Sequence, residues 1–569
     1  MIDSLPPGVI LIVGALVFPF LRGRLLQGWL LLLPVLSALH LLSLPHGTTL
    51  ELGFFDYLLT PVRVDKLSLV WGYIFHLAAF LSALYSLHVK DRGQHVSAMI
   101  YVGAAVGGVF AGDLITLFVY WELTAIASVF LVWASRTERS YKAGLRYLVV
   151  QVGSGVILLA GIVLRVGAGG SLEFGKLGLV DLPTTLIFVA FGIKAAFPLL
   201  HNWLQDAYPE ATVTGTVFLS AFTTKMAIYA LARGFPGTEL LIWIGAIMTA
   251  FPIFFAVIVN DLRRVLAYSL NNQLGFMVCG VGLASAGNEL ALNGTASHAF
   301  AHILYKALLF MSMGAVLHRT GTCKGTDLGG LYKTMPWTTG FCIVGAMSIS
   351  AFPLTSGFVS KSMVLSSAAG QHYTAVWLIL LFASAGVFHH SGIKIPYFAF
   401  FAHDSGKRPK EAPFHMLLAM GITAALCLLI GIFPGPLYSI LPYPVDYQPY
   451  TASHVITQLQ LLIFSALAFT TLNLVGLYPP EKRATVLDSD WSYRRALPAL
   501  VAFARRVGLG AWQAFLARLQ GVLDAGLRTV HHLHGPDEGV FARTWSTGGV
   551  ALVVVLMLAI YLVLYFVAA

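Results

Sequence analysis

The chain has 569 residues, of which 57% are hydrophobic and 11% charged, and its mean hydropathy is +0.79. These values exclude a soluble globular enzyme and place it among polytopic membrane proteins. The net charge of +10 does not point to nucleic acid, because the basic residues are scattered through short loops between apolar runs, as the positive-inside rule expects.

Counting apolar runs able to cross roughly 30 Å of hydrocarbon predicts about sixteen helices. In chain order they lie near 7–21, 28–45, 67–87, 96–110, 113–134, 143–166, 184–207, 212–233, 239–259, 265–286, 291–317, 336–369, 373–402, 414–434, 455–477 and 547–567. The first, from Gly8 to Leu21, lacks a basic leader and precedes many more spans, so it reads as a retained helix. Alternating the loops between two sides puts 25 Lys and Arg on one side, from Arg22 to Arg543, and 5 on the other. The basic side is then cytoplasmic, with both termini opposite it. Between 484 and 546 the short-loop pattern stops. From Pro498 to about His532, apolar Val501, Val507, Trp512, Phe515, Leu519, Val522 and Leu527 alternate at helical intervals with Arg505, Arg506, Arg518, Asp524 and Arg528. This predicts an amphipathic helix along the membrane surface, either a tether between spans or a brace on neighbouring subunits. The organisation expected is 1–95, N-terminal helices; 96–235 and 236–405, two repeats; 406–480, C-terminal core helices; 481–546, a lateral segment; and 547–569, a final helix.

Five lysines and no arginines fall inside the apolar runs: Lys194, Lys225, Lys306, Lys361 and Lys394. A charge there costs roughly 2.5 to 3.5 kcal/mol on insertion scales, so it is kept where it faces the protein interior and acts. Lysine gives up its proton when desolvated and guanidinium does not, so an all-lysine set reads as groups that change protonation state.

Ala196-Phe197-Pro198-Leu199 recurs as Ala351-Phe352-Pro353-Leu354, each time in an apolar segment with a lysine nearby. Proline removes a backbone donor and clashes with the preceding turn, so Pro198 and Pro353 should break both helices. Paired broken spans are a sequence pointer to an ion site in a transporter built from repeats.

Glu122 is the one carboxylate well inside a span. It needs a cationic partner, and Lys194 at the first break is the candidate; a carboxylate that approaches or withdraws favours or disfavours the lysine's proton. His298, His302 and Lys306 stand at i, i+4 and i+8 on one helical face. Without an HExxH glutamate or a third ligand nearby, they read as a proton relay rather than a metal site. Asn271, Asn272 and Gln273 either anchor a water chain, the reading favoured here, or bond between helices. Lys225 extends the lysine series after the first break. Lys394 lies a few turns from the basic loop at Lys407 and is expected to snorkel, together with His389 and His390 beside it. Cys279, Cys323, Cys342 and Cys427 show no CxxC spacing, and no nucleotide-binding glycine motif or haem-attachment sequence is present. No cofactor is expected in this chain.

Trp121-Glu122-Leu123, the run Lys194 to Ala207, His298-x3-His302-x3-Lys306-Ala-Leu-Leu-Phe and Ser356-Gly-Phe-Val-Ser-Lys361 together resemble the antiporter-like subunits shared by Mrp-type cation/proton antiporters, respiratory complex I and membrane-bound hydrogenases. The resemblance covers roughly residues 60 to 435. It implies an all-α polytopic fold of about fourteen core helices in two inverted five-helix repeats, each with a discontinuous helix. It also implies a Glu122/Lys194 pair, a bridging Lys225, a relay of His298, His302 and Lys306, and Lys361 on the second broken helix. Within the family the chain is most similar to the D-type branch of the Mrp antiporters, through His415–Tyr438 and Tyr478-Pro479-Pro480. It departs at Asn271–Gln273, where relatives more often carry serine or histidine, and in a lateral segment similar to, but shorter than, that of the largest complex I antiporter-like chain. The expected function is proton translocation in a multi-subunit Na⁺/H⁺ antiporter of the bacterial cell membrane. The partners implied are H⁺, Na⁺, other membrane subunits and the bilayer, with no nucleic acid and no metal. The alternatives are a proton-pumping module of an NADH:quinone oxidoreductase or membrane hydrogenase, and an inert scaffold.

Overall fold

The computed structural model describes residues 5–285, 287–479, 481, 482, 484, 486–535, 539 and 544–568. Pro480 of the Tyr478-Pro479-Pro480 region and Arg543 lie outside them. The chain divides into two compact units, Met1–Asp488 and Ser489–Ala569.

The first unit is a helical assembly. Among the described residues of both units, eleven helices are long and apolar enough to cross a membrane, and Val9–Phe20 and Leu182–Lys194 are shorter apolar ones. The remaining expected spans are helices with more polar faces, Arg92–Phe110 and Leu262–Leu283, or helices in pieces. Many begin on a carboxylate or hydroxyl that accepts from the third backbone amide. Ser68 donates to Asp65 at 2.9 Å, Thr116 to Asp113 at 2.7 Å, Ser140 to Thr137 at 3.0 Å and Thr184 to Asp181 at 2.8 Å. These caps satisfy amides that the helix cannot, and they fix where each span starts.

Loop contacts sort onto two sides. On the basic side Arg136 pairs with Asp91 at 3.1 Å, Arg146 with Asp206 at 2.6 Å and Lys333 with Asp404 at 2.8 Å, while Asn260 donates to Thr326 at 3.1 Å. On the other, Arg63 pairs with Glu173 at 3.5 Å, Arg233 with Asp65 at 2.8 Å, and Asn293 donates to the Tyr443 carbonyl at 3.1 Å. In each of these pairs both partners lie in loops, or at span ends next to loops, that alternation assigns to one side.

Helices Glu239–Ile258 and Leu262–Leu283 approach backbone to backbone. A Cβ on Gly275 would stand 2.6 Å from the Thr249 nitrogen and 2.7 Å from the Gly245 oxygen, the small-residue packing typical of membrane helices. Apolar side chains such as Val149, Val156 and Val163 on Glu138–Gly167 point outward, as a lipid-facing stripe requires.

Both Ala-Phe-Pro-Leu segments break their helices, and in the same way. Leu182–Lys194 stops and Asn202–Ala207 resumes; Pro336–Ile349 stops and Ser356–Gly370 resumes. Ala196 and Ala351 are left-handed, at φ 63° and 56°. Their amides donate to Ile193 (3.1 Å) and Ser348 (3.1 Å), and those of Phe197 and Phe352 reach back to Gly192 (2.9 Å) and Met347 (3.0 Å). That is a Schellman termination with alanine where glycine is usual. A turn follows, closed by Leu200 N to Phe197 O at 2.9 Å and Thr355 N to Phe352 O at 3.2 Å. Its second position is proline and its third is leucine at φ 68° or 69°, the pattern of a type II turn.

Two features differ from expectation. Residues 212–233 form one membrane-long span, Gly215–Gly234, as predicted, but it is interrupted at Phe222, without a proline, into Gly215–Ala221 and Thr223–Gly234. Residues between the second and third spans add an antiparallel hairpin, Thr49–Phe54 with Tyr57–Arg63, to the expected all-helical fold.

The second unit contains one continuous helix, Leu497–His534, in which no residue is buried within the chain, and the apolar helix Thr547–Ala568. The first covers the stretch predicted to be amphipathic.

Leu199 is 78% exposed, so its side chain can be changed without repacking the interior. Leu199→Val places a β-branched residue at positive φ and should cost about 1–2 kcal/mol relative to Leu199→Gly, measured as denaturant midpoints in detergent. Burial acts to raise the pKa of the Asp65 carboxyl, but Arg233 and the Ser68 amide outweigh it and hold the group below its usual range. Its charge therefore stabilises the fold above the unfolded value of 3.8, and that contribution is lost as pH falls through the lower folded value. Asp65→Asn keeps the cap, and should lower the thermal midpoint at neutral pH by an amount that shrinks toward about pH 3.

Candidate functional site

Lys194 is the last residue of its helix, fully buried, immediately before the left-handed Ala196 turn. Its Nζ donates to the Trp121 carbonyl at 2.6 Å and to Thr124 Oγ1 at 2.9 Å, and lies 4.2 Å from the centre of the Trp121 ring. Together these contacts satisfy the lysine head, the ring adding a cation–π term. Glu122 sits between the two hydrogen-bonding residues. Among the described residues it makes no direct ion pair with Lys194, which corrects the expected contact; its Oε1 is buried and has no hydrogen-bond partner there. The carboxylate packs against Gly155, where even a methyl group would collide with it. Glu122 and Lys194 are thus electrostatic neighbours without a direct contact.

At the second break Lys361 is also buried, on the helix that resumes after the turn. Its Nζ donates to the carbonyl of Ile349 at 3.1 Å and lies 5.0 Å from the Phe276 ring centre. Ile349 ends its helix as Lys194 ends the other. The two lysines therefore enter from opposite sides of the break, one supplied by the helix that stops and one by the helix that resumes.

Lys225 uses the third break. Interruption at Phe222 frees the Ser220 carbonyl, and Lys225 Nζ takes it. Tyr101 holds the break open, its hydroxyl accepting from the Thr223 amide at 2.9 Å and bonding Thr223 Oγ1 at 2.6 Å. Beyond it runs the 32-residue helix Glu289–Thr320, which carries His298, His302 and Lys306, all fully buried. Among the described residues, neither ring nitrogen of His302, nor Lys306 Nζ, has a hydrogen-bond partner. His302 is an electrostatic neighbour of Lys225, Lys306 and Lys361.

His298 belongs to a connected polar network. Its Nδ1 is 3.2 Å from Ser360 Oγ and its Nε2 3.5 Å from the Tyr305 hydroxyl. Tyr305 donates to Gln273 at 3.0 Å, Gln273 to Asn272 at 2.7 Å, and Asn272 to the Thr249 carbonyl. Asn272 and Gln273 thus bond between helices, the less favoured of the two readings. Asn271 is buried, and among the described residues both its amide atoms are unpartnered. Tyr305 and Ser360, each adjacent to a lysine already singled out, were not anticipated; Tyr305 stands seven residues after His298, near enough on the helix to have been found.

Lys394 does not snorkel. It is fully buried, pairs with Glu481 at 2.8 Å, and donates to the carbonyls of Val257 (2.6 Å), Val259 (2.8 Å) and Ala256 (3.2 Å) at the end of Glu239–Ile258. Uncapped carbonyls at a helix end attract a cation more strongly than the distant surface does. His390 is likewise buried, bonded at 2.8 Å to Ser391, while His389 packs on Phe469 and Tyr478. Among the described residues no cluster of three His, Cys, Asp or Glu is arranged to hold a metal.

Over residues 111–433, more than half its length, the chain matches the family described as NADH:quinone oxidoreductase/Mrp antiporter, TM. Hydrogenase-4 component B of Escherichia coli K12 is 28% identical over 438 residues, 68% of this chain and 65% of that protein. The D-type chain of the Na(+)/H(+) antiporter of Alkalihalophilus pseudofirmus OF4 is 29% identical over 360 residues, 59% of this chain and 72% of that one. A chain in the structure of the Mrp complex from Dietzia sp. DQ12-45-1b shares the fold with a TM-score of 0.75 at 23% identity, covering 99% of this chain and 63% of that one. The alignment spans just under two thirds of hydrogenase-4 component B. With its broken helices and buried lysines, the chain is a multi-pass membrane protein that belongs to the NADH:quinone oxidoreductase/Mrp antiporter family.

Proposed function

We propose that this chain is the proton-translocating subunit of a multi-subunit Na⁺/H⁺ antiporter in a bacterial cell membrane, with protons passing between two repeats at 96–235 and 236–405. The observation that carries the reading is the twin break: two copies of one strained turn, each with a buried lysine on a carbonyl or hydroxyl that the surrounding helices present. Left-handed non-glycine residues cost about 1–3 kcal/mol each, and such strain persists where it serves the site.

In this reading Glu122 is the control. When its carboxylate moves onto Lys194 it favours the protonated lysine, and when it withdraws the proton is released toward Lys225. His302 and Lys306 receive it next. Their nitrogens and Asn271 are buried without partners among the described residues, which suits a row of bridging waters, since buried polar groups seldom go unsatisfied. His298 carries the path to Ser360 and so to Lys361 on the second break. Neutral imidazoles can pass protons without holding charge in the interior. Sodium, the partner subunits and the membrane of residence belong to the same proposal.

A second reading, a pump module in a redox complex, is supported by the similarity to hydrogenase-4 component B. Vesicles containing the native complex separate the two. Sodium-dependent proton flux without an electron donor supports the antiporter, and flux that requires a donor supports the redox module.

Lys194→Arg keeps the charge and removes the titration. It should cut proton flux in reconstituted vesicles by about tenfold or more while the complex still assembles; full activity would make the lysine an electrostatic fixture. Gly155→Ala should slow flux in the same assay, because the added methyl displaces Glu122. An unchanged rate would remove Glu122 movement from the mechanism.

A further inference from the structure

Two buried carboxylates reach the assembly from the residues after the last core helix, Ala452–Leu474. Glu481 sits on Lys394 at 2.8 Å, with side chains 6% and 0% exposed, and Asp488 sits on His201 at 2.7 Å, with side chains 8% and 2% exposed. His201 directly precedes the helix that resumes after the first break, and Lys394 follows a π-helical stretch, Phe388–Ile393, in the second half. One short stretch of sequence thus lays a carboxylate on a buried base in each half. Tyr478 anchors it from within, packed on His389, Phe398 and Phe469.

The pair at Lys394 is built differently from a simple neutralising contact. One carboxylate oxygen of Glu481 holds the ammonium, while the other, Oε2, is buried and has no hydrogen-bond partner among the described residues. A carboxylate with one buried oxygen left over can accept a proton without moving. Lys394 keeps three carbonyl acceptors whichever way Glu481 turns, so it does not need Glu481 to be held in place. A lysine fixed by the backbone and a carboxylate free on one side make a two-position pair. The other titratable groups facing Lys394 are His389 and His390 on its own segment, and Tyr478 faces Glu481. The end of Glu239–Ile258 contributes only carbonyls.

We propose that Glu481 is a positioning residue that switches the charge of Lys394, a second carboxylate–lysine control on the basic side, distinct from Glu122 and Lys194. This rests on the proton-translocating reading above. It predicts that whatever moves residues 478–488 alters proton release from the second half.

The test is the pH profile of proton flux in vesicles containing the native complex, compared with Glu481→Gln and Glu481→Asp. A neighbouring carboxylate favours the charged lysine, so removing it should move the profile to lower pH, by about 1–3 units for an opposite charge at this range. Glu481→Asp, with the carboxylate drawn back by one methylene, should move it in the same direction by less. A purely structural salt bridge would lower the amount of assembled complex and leave the profile of the remainder in place, and that result overturns the proposal. If Glu481→Gln does not assemble, the Asp variant decides: a shifted profile supports the switch and a wild-type profile overturns it. Wild-type vesicles without proton flux would instead refute the underlying function.

Discussion

A lysine enclosed by helices has lost its water, and everything at the centre of this molecule follows from how that loss is made good. An intact helix offers few free acceptors, since each carbonyl is already engaged by an amide four residues on. For Lys225, Lys361 and Lys394 the chain supplies acceptors at helix ends, while Lys194 shares the Trp121 carbonyl of the unbroken helix Leu114–Trp133. Lys361 and Lys225 take carbonyls freed at helix ends, Lys394 takes three, and Lys194 uses the Trp121 carbonyl with a threonine and an indole face. Carbonyls hold a lysine in place without fixing its proton, because a neutral amine still donates to them. Counter-charges, by contrast, sit to one side or reach in from elsewhere, at Glu122 and Glu481. In the proposed reading, the separation of holding from charging suits these lysines to proton transfer rather than to static pairing.

The turns that make the breaks are strained, and the strain is matched between the two halves down to the hydrogen bonds. Ala196 and Ala351 take the position that glycine would fill at less cost, and Leu199 and Leu354 do the same one turn later. Glycine there would leave the unfolded-like alternatives open, whereas alanine and leucine hold the backbone to few conformations. A rigid break fixes where the lysine beside it sits, and at the second break it also aims the Ile349 carbonyl at Lys361. The 32-residue helix Glu289–Thr320, uninterrupted and almost wholly enclosed, then acts as the spacer that carries His298, His302 and Lys306 between the broken elements.

Much of this was legible in the residues, and the parts that were not have physical reasons. Pro198 and Pro353 announce their breaks because proline cannot continue a helix. The break at Phe222 has no such marker, being held by Tyr101, more than a hundred residues away. The hairpin at Thr49–Arg63 turns through Phe55 and Asp56 with Phe55 at φ 51°, so it lacks the Asn-Gly or Asp-Gly pair that flags a tight turn. His298, His302 and Lys306 share a face by spacing alone, and sequence periodicity finds such sets well. Glu122 and Lys194 are legible as the one carboxylate inside a span and the lysine at the first break, but not their lack of direct contact, because the tryptophan and threonine that flank Glu122 take the ammonium first. Lys394 was misjudged because proximity to a basic loop in sequence says nothing about Glu481, a partner that arrives only after the chain has crossed back twice more.

The central claim, that buried lysines here change protonation under the control of a nearby carboxylate, is tested most directly by watching one lysine nitrogen. Solid-state ¹⁵N NMR of lysine-labelled protein in lipid bilayers, with Lys194 assigned by its absence in Lys194→Met, reports whether that amine is charged or neutral. The account predicts that the Lys194 signal moves between the two forms as pH is varied, and that Glu122→Gln displaces the transition toward lower pH. A Lys194 signal that stays in the ammonium form throughout, or a transition indifferent to Glu122, would contradict it.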